Sequence, residues 1–293
     1  ARPNVTSDVS GLCLKSGNAV ILRGSSYCLD SNIAILEVLQ NSLSLNNCNK
    51  TIFQIIESKD RQDTIEFMNL TEFVDLIIPR GGKGLIQTLV DNSKVPFILD
   101  GDGNVHLYIH QDAKKEHIID IVINSKVQRP GVCNALETLL INSQIYQDMG
   151  SSIIEKLLEN KVELFVDETI KEDFSNLNLA NESHYETEFL DLKLAVKVVD
   201  SVDQAIEHIK VYSSGHTEAI LTESKEVADT FAKSIDSSVI FINSSTRFTD
   251  GEMFGFGSEI GISTQKLHVR GPMGLEALTN ERYVVTGEGT VRG

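Results

Sequence analysis

Short apolar runs alternate along the chain with stretches of helical periodicity. AVIL at 19–22 is entered through an SGN turn and reads as a buried strand. The following NIAILEVLQNSL repeats apolar residues at i, i+3, i+4 and i+7, the spacing of a helix with one buried face. The alternation continues with strand TIFQII, a helix around DTIEFMNL, strand VDLIIP, helix KGLIQTLVDN, and strands VPFIL and VHLYIH. Beyond Cys133 come helix SIIEKLLENK, strands VELFV and LAVKVV, helix VDQAIEHIKVYSS, strand EAILT, helix KEVADTFAKSI and strand SVIFIN. Repeated βα units predict an α/β protein in which helices cover a parallel sheet. The tail GEMFGFGSEIGISTQKLHVRGPMGLE leaves this rhythm and reads as site-building loops.

Length and composition add that 293 residues, 41% of them hydrophobic, suffice for two domains. The 26 Lys and Arg against 42 Asp and Glu leave a net charge of -16, which disfavours nonspecific binding to nucleic acid or an anionic membrane surface. An anionic ligand must therefore be met by locally placed cations or backbone amides. No apolar run reaches the ~20 residues of a membrane span, and ARPNVTSDVS lacks the basic start and apolar block of a signal peptide. A cytoplasmic location is expected, and the sequons NVT, NKT, NLT and NES are taken as chance. Cys13, Cys28, Cys48 and Cys133 stand at wide, unequal spacings with no CxxC pair, which indicates neither a disulfide framework nor a metal site.

Three stretches carry candidate chemistry. In VQRPGVCNALETLLI, Arg129, Pro130 and Gly131 force a turn before Cys133, and NALETLLI reads as a helix, so the thiol is expected near a helix N-terminus whose dipole favours thiolate. Spacing alone leaves nucleophile and core filler both open; for the other three cysteines core packing is the expectation. PRGGKG at 79–84 stands between a strand and a helix, where backbone amides approach phosphates, or where a tight turn merely needs glycine. DGDGN at 100–104 lacks the later ligands of a calcium loop and reads as a plain turn.

ARPNV, SGNAVILRG, LIIPRGGKGL, QRPGVCNALETLL, TEFLDLKLAVKVV and INSSTRFTDGEMFGFGSEIGISTQKLHVRGPMGLEAL together resemble the gamma-glutamyl phosphate reductases, or glutamate-5-semialdehyde dehydrogenases, of the aldehyde dehydrogenase superfamily. The match runs in order from Ala1 to the C-terminus. It implies a Rossmann-type parallel-sheet cofactor domain at 1–123, a catalytic α/β domain at 124–268 and a C-terminal oligomerisation segment at 269–293. It also implies NADPH-dependent reduction of L-glutamyl 5-phosphate to L-glutamate 5-semialdehyde in proline biosynthesis. Cys133 displaces phosphate in that chemistry to give a thioester, and hydride from the nicotinamide completes the reduction.

Carried onto this sequence, the resemblance makes Asn4 an oxyanion donor together with the Cys133 backbone N–H. Arg23 meets the adenosine ribose and suits a 2′-phosphate. Gly81 and Gly82 form the cofactor turn, and Glu188 bonds the nicotinamide ribose. Arg129, Arg247, Ser244, Ser245 and Thr246 are the candidates for the substrate's anionic groups. Lys266, His268 and Arg270 form a second basic cluster. Aldehyde-oxidising relatives carry a general-base glutamate where this chain reads FILDGDG, with Ile98 or Leu99 in its place. An enzyme that uses phosphate rather than water has no need of that base.

Partners implied are a small-molecule substrate, a further copy of the chain and a functional link to glutamate 5-kinase. The family's N-terminal segment is missing before the ARPNV motif. The alternative reading is therefore a noncatalytic truncated remnant or partner subunit that still binds nucleotide, and a third is an acylating dehydrogenase with another acyl donor. Missing strands are expected to leave a sheet edge exposed.

Overall fold

A computed structural model describes residues 3–293; Ala1 and Arg2, which open the RPNV motif, and the side chain of Lys83 lie outside the described residues. The chain divides into two compact units, one made of Ala1–Asp63, Ser258–Ile260 and Met273–Gly293, the other of Thr64–Gly257 and Gly261–Pro272.

In the first unit α1 (Asn4–Ser16) ends at Gly17, whose φ of 79° permits the left-handed turn that lets Asn18 N–H reach the Cys13 carbonyl at 2.8 Å. Strand β1 (Val20–Leu22), helix α2 (Leu29–Leu45) and strand β2 (Phe53–Ile55) form one βαβ crossover, with Val20 beside Phe53 in a parallel pair. Leu36 and Leu43 of α2 bury against Phe53, as the helical spacing of the sequence requires. The tail segment closes on this unit: Ile260 N–H bonds the Met273 carbonyl at 2.9 Å, and Asn18 Nδ2 bonds the Leu278 carbonyl at 2.8 Å. Helix α3 (Arg61–Phe67) spans the chain position at which the first unit gives way to the second.

The second unit opens with α4 (Lys83–Asn92). It continues through β3 (Val105–Ile109), α5 (Lys115–Val127), β4 (Leu136–Asn142), α6 (Ser143–Glu159), β5 (Glu163–Val166), α7 (Glu168–Asp173) and β6 (Asn178–Leu179). Then come α8 (Glu182–Tyr185), β7 (Lys193–Val199), α9 (Val202–Tyr212), β8 (Thr217–Leu221), α10 (Lys225–Ser234) and β9 (Val239–Ile242). Seven of these strands form one sheet in the order β6-β5-β7-β4-β3-β8-β9, and every pair is parallel. A short antiparallel pair, β10 (Ile262–Ser263) with β11 (Gly271–Pro272), completes the unit.

Central strands β3, β4 and β8 are buried at every position. Alternate residues serve opposite faces: Leu107, Ile109, Leu139 and Ile141 pack with Ile118 and Val122 of α5 and Ile153 of α6, whereas Tyr108, Leu140 and Ile220 pack with Ile206 and Ile209 of α9 and Phe231 of α10. Helices on both faces explain why these strands are largely apolar and lack an alternation of buried and exposed positions, with His106, Glu137 and Glu218 as buried exceptions.

Two local expectations change. NALETLLI is not a helix: its LETLLIN portion is the central strand β4, so the thiol has no helix dipole behind it. A short, largely apolar run without clear alternation satisfies a buried strand as well as a helix, and pairing on both sides with β3 and β7 decides for the strand. VDLIIP and VPFIL, expected as strands, meet only in a single bridge between Ile77 and Phe97. The boundary expected at residue 123 falls within α5, and β3 before it is a central strand of the second unit's sheet.

Candidate active site

The site assembles at the amino-terminal edge of the sheet, because β7, β4 and β3 are parallel neighbours and the residues entering them meet there: Glu188 before β7, Cys133 before β4 and Gly103 before β3. Pro130 and Gly131 turn the chain after α5. A second turn, closed by Ala135 N–H to the Val132 carbonyl at 3.0 Å, carries Cys133 on its bend. Cys133 is half-buried, whereas Cys48 is exposed and burial pushes the Cys13 thiol up.

Gly103 packs directly on the cysteine backbone: a Cβ there would stand 1.8 Å from the Cys133 carbonyl oxygen. Its N–H donates to Glu188 Oε1 at 2.7 Å, which ties the Glu188 loop to the cysteine turn. The next residue, Asn104, is buried and donates from Nδ2 to the Tyr185 and Tyr212 carbonyls at 2.7 and 2.8 Å.

Behind the turn lies an ion pair. Lys126 Nζ of α5 donates to Glu137 Oε2 of β4 at 2.8 Å, and both side chains are wholly buried. The other carboxylate oxygen accepts the Leu190 N–H at 3.1 Å, holding that residue at a φ of 52°. Burial pushes the Glu137 carboxyl up and the Lys126 ammonium down, while each charge partly stabilises the other.

Arg247 reaches the site on a segment that crosses back over the sheet. Asn243 Nδ2 bonds the Thr222 carbonyl just past β8, whereas Thr249 Oγ1 bonds Thr217 Oγ1 at the start of that strand. Between them, Thr246 Oγ1 donates to the Asn134 carbonyl at 2.7 Å, and Asn134 Nδ2 donates to the Thr249 carbonyl at 2.7 Å. Arg247 is thereby stitched to the residue that follows Cys133. Its Nε donates to Gln128 Oε1 at 2.8 Å, and its Nη1 is enclosed with no hydrogen-bond partner among the described residues. Burial, then the like charge of Arg129, holds the guanidinium below its usual range, and the Cys133 and Asp250 charges partly offset this.

Cys133, Arg129, Arg247, Ser245 and Glu188 thus come together in the second unit. Ser245 is buried, with its Oγ accepting from Ser125 Oγ at 3.1 Å and from Arg247 N–H at 3.3 Å, and Ser244 beside it is half-buried. Gly82 precedes the first turn of α4 in an extended conformation, and a Cβ at Gly81 would meet Leu85 Cδ2 at 2.7 Å. Lys266 and Arg270 both engage Asp236.

Asn4 and Arg23 belong to the first unit. Asn4 begins α1, exposed, with Nδ2 donating to Asp8 Oδ2 at 3.0 Å. Arg23 lines a cleft of about 240 Å3 with Gly24, Ser25, Ser26, Ser58 and Lys59, just past the ends of β1 and β2. Two cations and three hydroxyls around one opening make a donor set suited to a phosphate monoester.

Gly103, Gln128, Asn134 and the Lys126–Glu137 pair were not singled out from the sequence. For Gly103 the signal was present, since DGDGN directly precedes an apolar strand; Gln128 and Asn134 depend on approaches across more than a hundred residues, and the ion pair on how α5 packs against β4.

No protein-family model matches the chain. Over 292 residues it is 50% identical to a gamma-glutamyl phosphate reductase of Thermoanaerobacter pseudethanolicus, covering all of this chain and 70% of that protein. The crystal structure of gamma-glutamyl phosphate reductase from Thermotoga maritima superposes with a TM-score of 0.96 at 45% identity, covering all of this chain and 70% of that one. An acetylating aldehyde dehydrogenase from Geobacillus thermoglucosidasius shares the fold, with a TM-score of 0.76 at 17% identity, covering 99% of this chain and 74% of that one. No helix among the described residues is long and apolar enough to cross a membrane. On identity held across its whole length, the chain belongs to the gamma-glutamyl phosphate reductase family.

Proposed function

We propose that this chain reduces L-glutamyl 5-phosphate to L-glutamate 5-semialdehyde with release of phosphate, through a thioester on Cys133. The observation that carries the reading is the pairing of a half-buried thiol on a fixed turn with Arg247, whose Nη1 is enclosed and lacks a partner among the described residues. An orphaned guanidinium donor beside a cysteine is costly unless an anionic ligand completes it. Family membership names the reaction.

Within this reading the Cys133 sulfur attacks the acyl carbon, and the Cys133 backbone N–H stabilises the oxyanion. Arg129 and Arg247, with the hydroxyls of Ser244 and Ser245 near them, bind the substrate's anions. Gly103 and Glu188 hold the turn, so that the thiol meets the acyl carbon in one orientation. Ile98 and Leu99 offer no base to activate water, which protects the thioester from hydrolysis.

NADPH fits the donor set of the first unit: Arg23, Lys59 and the serines would hold its 2′-phosphate. When bound it supplies the hydride. The reading extends to a homo-oligomer formed through residues 269–293, supported by the exposed Tyr283, Val284 and Val285. It extends also to a cytoplasmic location and to supply of the labile acyl phosphate by glutamate 5-kinase.

The test runs the reaction backwards, with glutamate semialdehyde, NADP and phosphate, following absorbance of the reduced cofactor. Phosphate-dependent reduction by the protein, absent in Cys133→Ala with cofactor binding retained, is the expected result. No turnover from folded protein would sink the proposal in favour of a nucleotide-binding remnant, and turnover with coenzyme A in place of phosphate would assign another acyl donor.

A further inference from the structure

Arg247 has an unusual anchor for a half-buried guanidinium beside a reactive thiol. Its Nε donates to Gln128 Oε1, a neutral acceptor, at 2.8 Å. Asp250, the nearby carboxylate, is turned into its own loop, accepting the N–H groups of Glu252 and Met253 at 2.9 and 3.1 Å. The guanidinium is therefore oriented by a neutral acceptor with no carboxylate hydrogen-bonded to Nε, and Nη1 is left enclosed and without a partner among the described residues. Its backbone is fixed to Asn134, the residue after Cys133, through the Thr246 and Asn134 hydrogen bonds.

In an acyl phosphate the phosphate oxygen is bonded to the carbon that the thiol attacks, whereas the carbon of the substrate's α-carboxylate stands four carbons farther along. A cation fixed to the cysteine turn is suited to the nearer anion. We infer that Arg247, with Arg129, takes the phosphate leaving group, and that Gln128 is a positioning residue that orients Arg247 without neutralising it. As the Cys133 S–C bond forms, the C–O bond to the phosphate breaks, its electron pair leaves with that oxygen, and the thiol proton ends on the released phosphate. The two guanidiniums meet the charge as it develops. A glutamate at 128 keeps the bond to Nε but cancels the charge the phosphate needs. This assignment rests on the acyl-phosphate reading above.

The test uses inorganic phosphate and the intact chain. Phosphate seated beside Cys133 slows alkylation of its thiol by iodoacetamide, and mass spectrometry of the Cys133 peptide reads protection without any turnover. Phosphate-dependent oxidation of the semialdehyde gives the matching KM values. Gln128 is exposed at the end of α5, so its variants are expected to fold. Gln128→Glu is expected to raise both the half-protecting concentration and the phosphate KM about tenfold, the size of one charge-assisted hydrogen bond, with semialdehyde KM unchanged. Gln128→Ala does the same more weakly, and Gln128→Glu adds nothing to Arg247→Met.

If Arg247→Met raises the semialdehyde KM and leaves phosphate protection intact, Arg247 holds the α-carboxylate and the assignment is overturned. If Arg247→Met weakens phosphate but neither Gln128 variant does, the role of Gln128 is overturned. If phosphate protects and Gln128→Glu weakens it while no turnover occurs, the phosphate subsite at Arg247 and the role of Gln128 stand, whereas the leaving-group role falls with the reductase reading.

Discussion

The Cys133 carbonyl oxygen occupies the space that a β-carbon on residue 103 would need: the two would stand 1.8 Å apart. Gly103→Ala must therefore displace the cysteine turn, the Glu188 tether, or both. Turnover is expected to fall about 100-fold, as for a nucleophile misplaced by roughly an ångström. The overpacking should cost about 1–3 kcal/mol in urea unfolding. Unchanged kinetics would mean that the turn absorbs the methyl group elsewhere.

The Lys126–Glu137 pair is wholly buried, so each charge depends on the other. Lys126→Met alone and Glu137→Leu alone are each expected to cost about 3–5 kcal/mol, because each strands an uncompensated charge. The double variant is expected to be more stable than either single one, and denaturant unfolding of the three proteins reads the difference. A double variant as costly as the sum of the singles would count against the pair as a coupled unit.

For the cleft of the first unit, the prediction is about cofactor choice. Arg23→Ser with Lys59→Ser removes both cations that line it. The Kd for NADPH should rise about 10–100-fold while that for NADH barely moves, as follows from losing charge-assisted bonds to a single phosphate. Titration of cofactor fluorescence separates the two, and equal weakening of both would take the 2′-phosphate out of this cleft.

His216 is completely buried, its Nδ1 bonded to Thr217 Oγ1 at 2.8 Å, and burial pushes its pKa down from 6.5 to about 4. The unfolded chain thus binds a proton near pH 6.5 that the folded chain refuses until about pH 4. The stability gained from the neutral ring is present above the higher value and is lost as pH falls between the two. The loss reaches about 3 kcal/mol at the acid end. Unfolding free energies of the protein and of His216→Asn, measured from pH 7 downward, should converge as pH falls if this holds.

Much of the architecture could be read from apolar periodicity, because VHLYIH, EAILT and SVIFIN are short runs bounded by turn residues and each became a strand of the parallel sheet. NALETLLI failed for a physical reason. A strand buried on both faces has no polar alternation, so nothing local separates it from a buried helix. Arg129 and Arg247 were legible as cations flanking turns. Gln128 was not, because an uncharged residue acquires its role only when the 247 side chain is folded onto it from 119 residues away. The location of the site was also illegible: open parallel sheets usually bind at the carboxyl ends of their strands, whereas Gly103, Cys133 and Glu188 converge at the opposite edge.

The first unit is closed by Met273–Gly293, a segment far along the chain from the βαβ crossover it joins. On a ribosome adding roughly 5–20 residues each second, every strand of the seven-stranded sheet has been made before Met273 is added. The strands around the Cys133 loop are therefore synthesised first, and the unit that bears the Arg23 cleft is completed last. Vectorial synthesis sets a birth order for the two halves of this molecule that their order in the sequence does not reveal.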